Sequence, residues 1–392
     1  MKEGWNIVKL GDIALQMYRG AGIKRDQVTE SGVPCIRYGE IYTTYNYAFS
    51  QCVSHTNEDL IKPRKYIEKG DLLFTLTGES IEEIGKCVAY LGDEKCLLGG
   101  DILAMKHNQC PKFLAYAMAS PNAIKQKSLG KVKLKVVHTN ESSLRNVAIP
   151  LPSLIEQERI VAYLDAQFAK IDAMKANAAK ALAEAKALFQ TALTEAMTPK
   201  EGWKMKKIGD VFRSFSGGTP LKSVDEYYKG GNIPWLRSGE VCKKYIYETE
   251  MFITEEGMKN SSAKYYPIDT VVVAMYGATA AQVGILKISS TSNQAVCGLL
   301  PNSDNLPEFV YYWFRFRQDF LASQAQGGAQ PNISQIKIKN LDYPIMPLPE
   351  QERIVTRLDA LSAKVAALEA NYTQTVAECD ALKQALLREV FE

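Results

Sequence analysis

The stretch EQERIV occurs twice in this chain, at residues 156–161 and again at residues 350–355. Each copy follows Pro-Leu-Pro, and each opens a long segment that is rich in Ala, Leu, Lys and Glu and free of Pro and Gly. Apolar residues recur in these segments in steps of three and four, which is the spacing of an amphipathic helix. The repeat therefore predicts two long helices, each beginning at one copy of EQERIV.

The apolar positions predict a heptad seam along each of these helices. An isolated amphipathic helix of this length cannot bury its seam, so we expect the two helices to pair. An antiparallel pair is favoured because residues 198–201 lead directly from the end of the first helix into a second globular segment. The alternative is an ordinary connection between domains. The expected seam positions are Ile160, Leu164, Gln167, Ile171, Met174, Ala178, Ala181, Ala185, Leu188 and Ala192 in the first helix, and Ile354, Leu358, Leu361, Val365, Leu368, Tyr372, Thr375, Cys379, Leu382 and Leu386 in the second.

The segments before the two helices also repeat each other. Glu-Gly-Trp at 3–5 returns at 201–203, and Arg37 with Gly-Glu at 39–40 returns as Arg237 with Gly-Glu at 239–240. Landmarks that return in the same order with a drifting offset indicate a duplicated unit with loop insertions. Short β-branched and aromatic runs predict strands in each unit, with a helix near its end at 111–127 and 307–324.

This organisation predicts an α+β fold with four segments. Residues 1–150 and 199–346 form two mixed α/β domains that are related by a pseudo-two-fold axis. Residues 151–198 and 347–392 form two spacer helices, which separate the domains as an antiparallel coiled-coil pair.

Composition limits the classes of protein to which the chain can belong. It has 392 residues, of which 46% are hydrophobic and 23% charged, with no apolar run of membrane-spanning length and no signal-peptide pattern. The eight Cys residues form no C-x-x-C pair, which favours reduced thiols in the cytoplasm. The three His residues lack metal-ligand spacing, and no P-loop, H-E-x-x-H or methyltransferase Asn/Asp-Pro-Pro-aromatic motif occurs. We expect a binding protein that is not itself an enzyme.

Basic and aromatic residues cluster in both globular units, where the positive charge lies, whereas the Ala/Leu-rich segments are slightly acidic. Lys and Arg neutralise phosphates, and Arg, Asn and Gln read base edges, so a pseudo-two-fold protein of this kind suits duplex DNA. Alternatively, the lysines are the exposed face of an edge strand and the tyrosines are cross-strand pairs. The candidate DNA-binding residues are Arg37, Tyr38, Tyr42, Arg64, Lys131 and Lys133 in the first unit, and Arg237, Lys243, Lys244, Gln330 and Asn332 in the second.

A globular unit that closes in Pro-Leu-Pro and EQERIV, followed by a long helix and then repeated, resembles the DNA-specificity subunit of type I restriction–modification systems. The resemblance covers essentially the whole chain, and the second unit matches best. Its motifs are FSGGTP at 215–220, IPWLRSGE at 233–240, YGA at 276–278, NQA at 293–295 and PNIS at 331–334. They add Gly217, Gly218, Thr219, Ser238, Tyr276, Gln294 and Ser334 to the candidate DNA-binding residues.

The resemblance implies a non-catalytic subunit that reads a bipartite, asymmetric site in double-stranded DNA. Each globular unit would be a target recognition domain for one half-site, and the two helices would set the gap. Two adenine-N6 methyltransferase subunits, which bind S-adenosylmethionine, would dock on the helices, and two endonuclease/translocase subunits can join them. The residues implied in docking are Glu156, Gln157, Arg159, Glu350, Gln351 and Arg353.

The first unit departs from the family pattern. It has MYRGAG at 17–22 near the position of the second unit's Gly-Gly-Thr turn, and Gly-Gly-Asp at 99–101 near the position of Asn-Gln-Ala at 293–295. Two other interpretations remain open. One is a specificity subunit of a related methyltransferase-only or phage-exclusion system, and the other is a coiled-coil scaffold that binds proteins but does not read DNA.

Overall fold

A computed structural model describes residues 4–81, 83–129, 136–324 and 332–392 of the chain. Contacts divide the chain into two compact units. Unit 1 comprises Met1–Ala179 and Tyr372–Glu392, and unit 2 comprises Lys180–Asn371. Each unit thus contains one globular part, the first part of one long helix and the last part of the other.

Unit 1 is built on short strands, most of them paired antiparallel. The strands are Asn6–Lys9 (β1), Gln16–Arg19 (β2), Val28–Thr29 (β3), Val33–Ile36 (β4), Ala48–Phe49 (β5), Ser54–Thr56 (β6), Tyr66–Ile67 (β7), Leu72–Thr75 (β8), Thr77–Gly78 (β9), Cys87–Tyr90 (β10), Cys96–Leu98 (β11), Ile102–Lys106 (β12), Val137–His138 (β13) and Ala148–Leu151 (β14).

Two five-stranded sheets form the centre of unit 1. Their strand orders are β2-β12-β8-β10-β5 and β3-β6-β4-β11-β7. The central strand β8 is buried at all four positions, as expected of a Leu/Phe run between two packed faces. A separate ladder joins β1 to β14, with Ile7 opposite Pro150, and holds the start of the unit beside the segment that enters the first long helix.

Unit 2 repeats this plan with fewer strands. They are Lys204–Lys207 (β15), Ser214–Ser216 (β16), Ile233–Leu236 (β17), Tyr245–Ile246 (β18), Phe252–Ile253 (β19), Val271–Ala274 (β20), Val283–Leu286 (β21), Thr291–Ser292 (β22), Val296–Leu299 (β23) and Asp342–Ile345 (β24). The sheet β16-β23-β20-β21-β18 corresponds to the first sheet of unit 1, and the ladder β15-β24 corresponds to β1-β14.

Short helices connect these strands. In unit 1 they are Leu10–Ile13 (α1), Tyr38–Thr43 (α2), Pro111–Met118 (α3), Pro121–Ser128 (α4) and Glu141–Arg145 (α5), followed by the long helix Leu154–Met197 (α6). In unit 2 they are Ile208–Val211 (α7), Glu255–Lys259 (α8), Pro307–Phe316 (α9), Gln318–Ser323 (α10) and Gln335–Lys339 (α11), followed by the long helix Leu348–Phe391 (α12).

The single helices predicted at 111–127 and 307–324 are each divided in two. In unit 1 Pro121 starts a new helix, and the Ser120 side chain caps it by accepting a hydrogen bond from the Ala123 amide at 3.3 Å. In unit 2 Arg317 ends α9 and precedes α10. In both units the Pro-initiated first helix, α3 or α9, is buried and packs on the central strands.

The two long helices run antiparallel within each unit. In unit 1 Lys175 pairs with Asp380 at 2.9 Å and Asp172 pairs with Lys383 at 2.6 Å, so numbers rise along α6 as they fall along α12. In unit 2 Lys186 pairs with Glu369, and Glu195 pairs with Arg357. The predicted α+β class, with two mixed domains and an antiparallel pair of long helices, is confirmed.

The predicted heptad seam is wrong at several positions. Met174, Leu188 and Leu382 are 54%, 60% and 46% exposed, whereas Phe168, Leu193 and Leu387 are buried instead. A straight α-helix has 3.6 residues per turn and drifts by about 20° per heptad from a strict seven-residue repeat. The buried stripe therefore moves to neighbouring positions, and the buried residues of each helix concentrate near its ends, where it packs on a globular core, while Met174 lies exposed in the middle of α6.

All eight cysteines are free thiols, and Cys35, Cys87 and Cys297 are buried within strands. Across the residues that the structure describes, no helix has both the length and the apolarity needed to cross a membrane.

Candidate nucleic-acid interface and helix-start motif

The glutamine of EQERIV is an internal structural residue in both units. Gln157 and Gln351 are each 0% exposed. The Gln351 Oε1 accepts a hydrogen bond from the Leu306 amide at 2.9 Å, and its Nε2 donates to the Met346 and Asp304 carbonyls at 2.8 and 2.9 Å. One amide side chain thus fastens the first turn of α12 to the residues that precede α9.

Gln157 makes the corresponding contacts in unit 1. Its Oε1 accepts from the Cys110 amide at 3.0 Å, and its Nε2 donates to the Pro152 carbonyl at 2.9 Å and to Gln109 Oε1 at 2.8 Å. A side chain with both a donor and an acceptor is required here, which explains why Gln recurs. With no exposed surface, neither Gln157 nor Gln351 can present its own side chain to a docking partner in this structure.

The first glutamate and the arginine of EQERIV pair with each other at the surface, where the glutamate side chains are 29% and 38% exposed. Arg159 Nη2 lies 2.7 Å from Glu156 Oε1, and Arg353 Nη2 lies 2.6 Å from Glu350 Oε1, with the arginine side chains 77% and 65% exposed. Hydrogen bonds from Arg353 lower the pKa of the Glu350 carboxyl. These four residues therefore offer the same exposed ion pair at the start of each long helix.

Unit 2 has a surface depression, which we call depression 2, with a volume of about 480 Å³. Arg237 reaches it from the end of β17, and Gln294 reaches it from the loop between β22 and β23. Apart from Met251, its lining is polar and aromatic: Thr219, Lys222, Asp225, Tyr228, Trp235, Arg237, Met251, Asn293 and Gln294. The structure thus brings together three of the predicted DNA-binding residues, Thr219, Arg237 and Gln294.

The glycine turn beside depression 2 shapes its wall through the backbone. A Cβ on Gly217 would lie 2.1 Å from the Ser292 carbonyl oxygen, so only glycine fits this close approach. The Gly217 and Gly218 amides donate to the Val296 and Ser292 carbonyls and are not available to a phosphate. The turn presents Thr219, whose hydroxyl hydrogen-bonds to the Gln294 side-chain oxygen.

Unit 1 has an equivalent surface depression, depression 1, with a volume of about 570 Å³. Its lining residues are Gly22, Ile23, Arg25, Arg37, Tyr38, Gly39, Glu40, Thr43, Gly100 and Asp101. The equivalence rests on matching hydrogen bonds: the Gly99 amide donates to the Ile36 carbonyl at 2.9 Å, as the Asn293 amide donates to the Leu236 carbonyl at 3.0 Å. Where unit 2 has the side chains of Asn293 and Gln294, unit 1 therefore has two glycines, Gly99 and Gly100.

Two predicted residues of unit 1 are occupied by internal contacts. The Tyr42 hydroxyl lies 2.6 Å from Thr75 Oγ1 and 3.0 Å from the Thr77 carbonyl oxygen, and burial raises the pKa of Tyr42 to about 12. Arg64 pairs with Asp59 and donates from Nε to the Glu58 carbonyl at 2.9 Å, outside the lining of depression 1.

The other predicted residues of unit 2 that the structure describes lie outside the lining of depression 2. Ser238 follows Arg237 in a short 3-10 helix, Tyr276 and Asn332 form an isolated β-bridge, and the Ser334 side chain caps α11. The predictions for Lys131, Lys133 and Gln330 lie outside the described residues.

Lys244 is held inside unit 2. Its side chain is 19% exposed, and its ammonium pairs with Asp359 of α12 and lies 4.8 Å from the Tyr312 ring centroid. The Tyr312 hydroxyl also donates to Asp359. Unit 1 has a similar group, in which Lys112 and Tyr116, both from α3, bind Asp165 of α6. These Lys–Tyr–Asp groups join each globular part to its long helix.

The adjacent residues Lys243 and Lys244 therefore allow a direct test of which lysine contacts DNA and which stabilises the fold. We expect Lys244→Ala to lower the free energy of unfolding by about 1 kcal/mol, since it removes a partly buried ion pair. Lys243 is exposed, so Lys243→Ala should leave stability unchanged and reduce the salt dependence of DNA binding by about one phosphate contact. Denaturant unfolding and a salt titration of DNA affinity, on both variants of the assembled complex, check this. Equal effects of the two variants would contradict it.

The sequence analysis did not single out several residues of the depressions. Arg25 and Lys222 occupy matching places, and each follows the first glycine of its turn, Gly20 or Gly217, by the same number of residues. That shared spacing could have identified both. Within the described residues, no group of three His, Cys, Asp or Glu side chains could hold a metal ion.

Comparison with known proteins places this arrangement in a family. The sequence profile described as "Type I restriction modification DNA specificity domain" matches residues 2–183 and again residues 200–378. The chain is 28% identical over 228 residues to the Escherichia coli type I restriction enzyme EcoR124I/EcoR124II specificity subunit, and this match spans 55% of the chain and only 55% of that relative's length. It is 25% identical to the putative MjaX specificity subunit of Methanocaldococcus jannaschii, with 92% and 87% of the two chains covered.

Solved structures share the fold over the whole length. A chain from a structure described as showing complex assembly and conformational transition of the type I R-M system has a TM-score of 0.78 at 22% identity, covering 99% of this chain and 97% of that one. The HsdS subunit from Thermoanaerobacter tengcongensis has a TM-score of 0.57 at 20% identity, with 100% and 97% covered. With two matched copies of the DNA specificity domain, the chain belongs to the family of type I restriction–modification specificity subunits.

Proposed function

We propose that this chain is the DNA-reading, non-catalytic subunit of a type I restriction–modification complex. Residues 1–150 and 199–346 act as target recognition domains, each for one half of a bipartite asymmetric site. Residues 151–198 and 347–392 act as the spacer helices that set the gap between the half-sites. The chain works in the cytoplasm, where it meets double-stranded DNA.

The observation that carries this proposal is the recurrence of the depression in both units. Each depression holds an arginine after a matching strand, Arg37 or Arg237, and a second cation, Arg25 or Lys222. Acidic residues line them too, Glu40 and Asp101 in unit 1 and Asp225 in unit 2, and Arg37 and Arg237 are paired with glutamates. Arg25 and Lys222 have no ion pair within the described residues, so each offers a positive charge that suits a polyanion such as the DNA backbone. The rest of the lining differs between units, as expected if the two read different bases.

The helix starts support docking of the catalytic partners. Each long helix begins with the same exposed Glu–Arg pair, Glu156 with Arg159 or Glu350 with Arg353. We propose that each pair contacts one adenine-N6 methyltransferase subunit, so that one chain binds two of them. S-adenosylmethionine binds to these partners and not to this chain. Two endonuclease/translocase subunits complete the restriction enzyme.

A methylation map tests the proposal. The chain is co-expressed with the methyltransferase subunit encoded beside it in a host without adenine methylation, and the modified genome is sequenced. The expected result is one bipartite motif with a fixed gap, methylated once per half on opposite strands. An intact complex without any methylated motif would favour a protein-binding scaffold. A motif without restriction of unmodified phage, when all neighbouring genes are present, would favour a methyltransferase-only system.

A further inference from the structure

The same glutamate holds the same arginine in both units. In unit 1 the Arg37 Nε donates to Glu40 Oε1 at 2.9 Å, and the Arg37 amide donates to Glu40 Oε2 at 3.0 Å. In unit 2 the Arg237 Nε and amide both donate to Glu240 Oε1, at 3.1 and 3.0 Å. Each arginine precedes a short helix whose third residue is the glutamate.

Both glutamates are fixed by further contacts. The Glu40 side chain is 7% exposed and also accepts from Ser54 Oγ at 2.6 Å. The Glu240 side chain is 11% exposed and accepts from the Glu250 amide at 2.8 Å. A carboxylate that is nearly buried and bound from two sides cannot move without leaving unsatisfied donors. It therefore fixes the position of the guanidinium that it binds.

The binding mode leaves the Nη edge of Arg37 open to a ligand, whereas in unit 2 the exposed Glu250 carboxylate occupies Nη2 of Arg237 and must be displaced by a ligand. The glutamates take the Nε hydrogens, whereas the two Nη groups form the planar fork that matches O6 and N7 of guanine in the major groove. A fixed fork suits reading a base edge, because O6 and N7 of guanine have a set direction in the groove, whereas a phosphate can also be bound by a mobile point charge. Arg25 and Lys222 suit the phosphate role, because neither has an ion pair within the described part of the chain.

We propose that Arg37 and Arg237 each read a guanine, one in each half-site, and that Glu40 and Glu240 are positioning residues for this contact. The inference rests on the proposed function and makes it more specific. It predicts a G·C pair in both halves of the recognised sequence, whatever the other bases are. In each half, the same arginine–glutamate arrangement would read this pair.

Glu250 provides a matched control for Glu240. Its carboxylate also pairs with Arg237, through Nη2, but its side chain is 70% exposed, so water can replace this contact. Glu240→Gln and Glu250→Gln each remove one negative charge beside Arg237. Only the first leaves an amide donor facing either the donors of Arg237 or the Glu250 backbone amide, depending on how the new side chain is oriented.

The experiment is a methylation map of the complex, with the neighbouring methyltransferase subunit, for the parent chain and for Arg37→Lys, Arg237→Lys, Glu240→Gln and Glu250→Gln. Each lysine variant should relax one guanine position, by about tenfold or more, in one half-site only, with the other half as internal reference. Glu240→Gln should relax the same position as Arg237→Lys, and Glu250→Gln should relax none.

Three results would overturn the inference. Unchanged motifs for both lysine variants would make these arginines phosphate contacts. Reduced methylation at all sites with an unchanged motif for Glu240→Gln would make Glu240 purely structural. If Glu250→Gln relaxed the guanine position as much as Glu240→Gln, the lost negative charge would explain the effect, and Glu240 would not be a positioning residue. A parent chain that yields no bipartite motif would instead refute the proposed function itself.

Discussion

Replacing Gln351 by alanine is expected to lower the free energy of unfolding of unit 2 by about 3 kcal/mol. The substitution strips hydrogen bonds from the Leu306 amide and from the Asp304 and Met346 carbonyls, around a side chain that is 0% exposed. Each buried polar group that loses its partner costs about 1–3 kcal/mol unless water enters. Denaturant unfolding measures the total loss, and hydrogen exchange should show faster exchange of the Leu306 amide.

Two further variants decide whether the hydrogen bonds are the cause. Gln351→Glu keeps the shape but turns carboxylate oxygens toward carbonyl oxygens, so it should destabilise at least as much as alanine. Glu352 is the next residue in the same helical turn and is exposed, so Glu352→Ala should change stability by less than about 0.5 kcal/mol. If Gln351→Ala and Glu352→Ala behaved alike, the amide would not be the fastener between α12 and α9.

The recurrence of EQERIV acquires a physical explanation from these contacts. The buried Gln fixes the entry of the helix, and the apolar Ile160 or Ile354 joins the core. The Glu–Arg pair remains on the surface. A sequence repeat alone cannot separate the three roles, because helix periodicity reports which residues share a face but not what lies opposite that face.

The existence and the direction of the long helices could be predicted because their pattern is long, regular and duplicated. Their seam could not be predicted residue by residue. Met174 and Leu188 fit a heptad, yet they are exposed, since the helix follows a period of 3.6 and packs on globular cores as well as on its partner.

The candidate site likewise has some residues that could be predicted from the sequence and others that could not. Arg37 and Arg237 could be found because they lie in a repeated motif, and both line a depression. Lys244 belongs to the same basic cluster as Lys243, yet it points inward to Asp359, a residue far away in the sequence. Clusters of charge along a sequence do not reveal which member is buried, because that depends on long-range packing.

The second prediction with a large expected effect on stability concerns Lys127. It belongs to the basic run that includes Lys125, but it is only 5% exposed, and its ammonium donates to the Gly85 carbonyl at 3.0 Å. Burial lowers the pKa of Lys127 to about 8. The neighbouring Cys87 thiol offers no compensating charge, because burial raises its own pKa. A charged ammonium at neutral pH is therefore a net cost to the folded state.

We expect Lys127→Met to stabilise unit 1 at pH 7 by about 2 kcal/mol, the cost of the buried charge less the lost hydrogen bond. The folded pKa of Lys127 lies below its unfolded value, so the unfolded state holds the extra proton between pH 8 and about 10.5. The cost is fully present below pH 8 and is relieved as the pH rises through that window. The relief over this window, about 3 kcal/mol, exceeds the advantage at pH 7, so the advantage of the methionine variant should vanish at about pH 9.5 and reverse by about pH 10.5.

The measurement is denaturant unfolding of the parent and the variant at a series of pH values from 6 to about 10.5. Other groups that titrate in this range are common to both proteins and cancel in the difference between them. Lys125→Met removes an exposed ammonium two residues away in the same helix and should give a small difference that does not vary with pH. A pH-independent effect of Lys127→Met, or a loss of stability at pH 7, would show that the Lys127 charge is compensated within the fold.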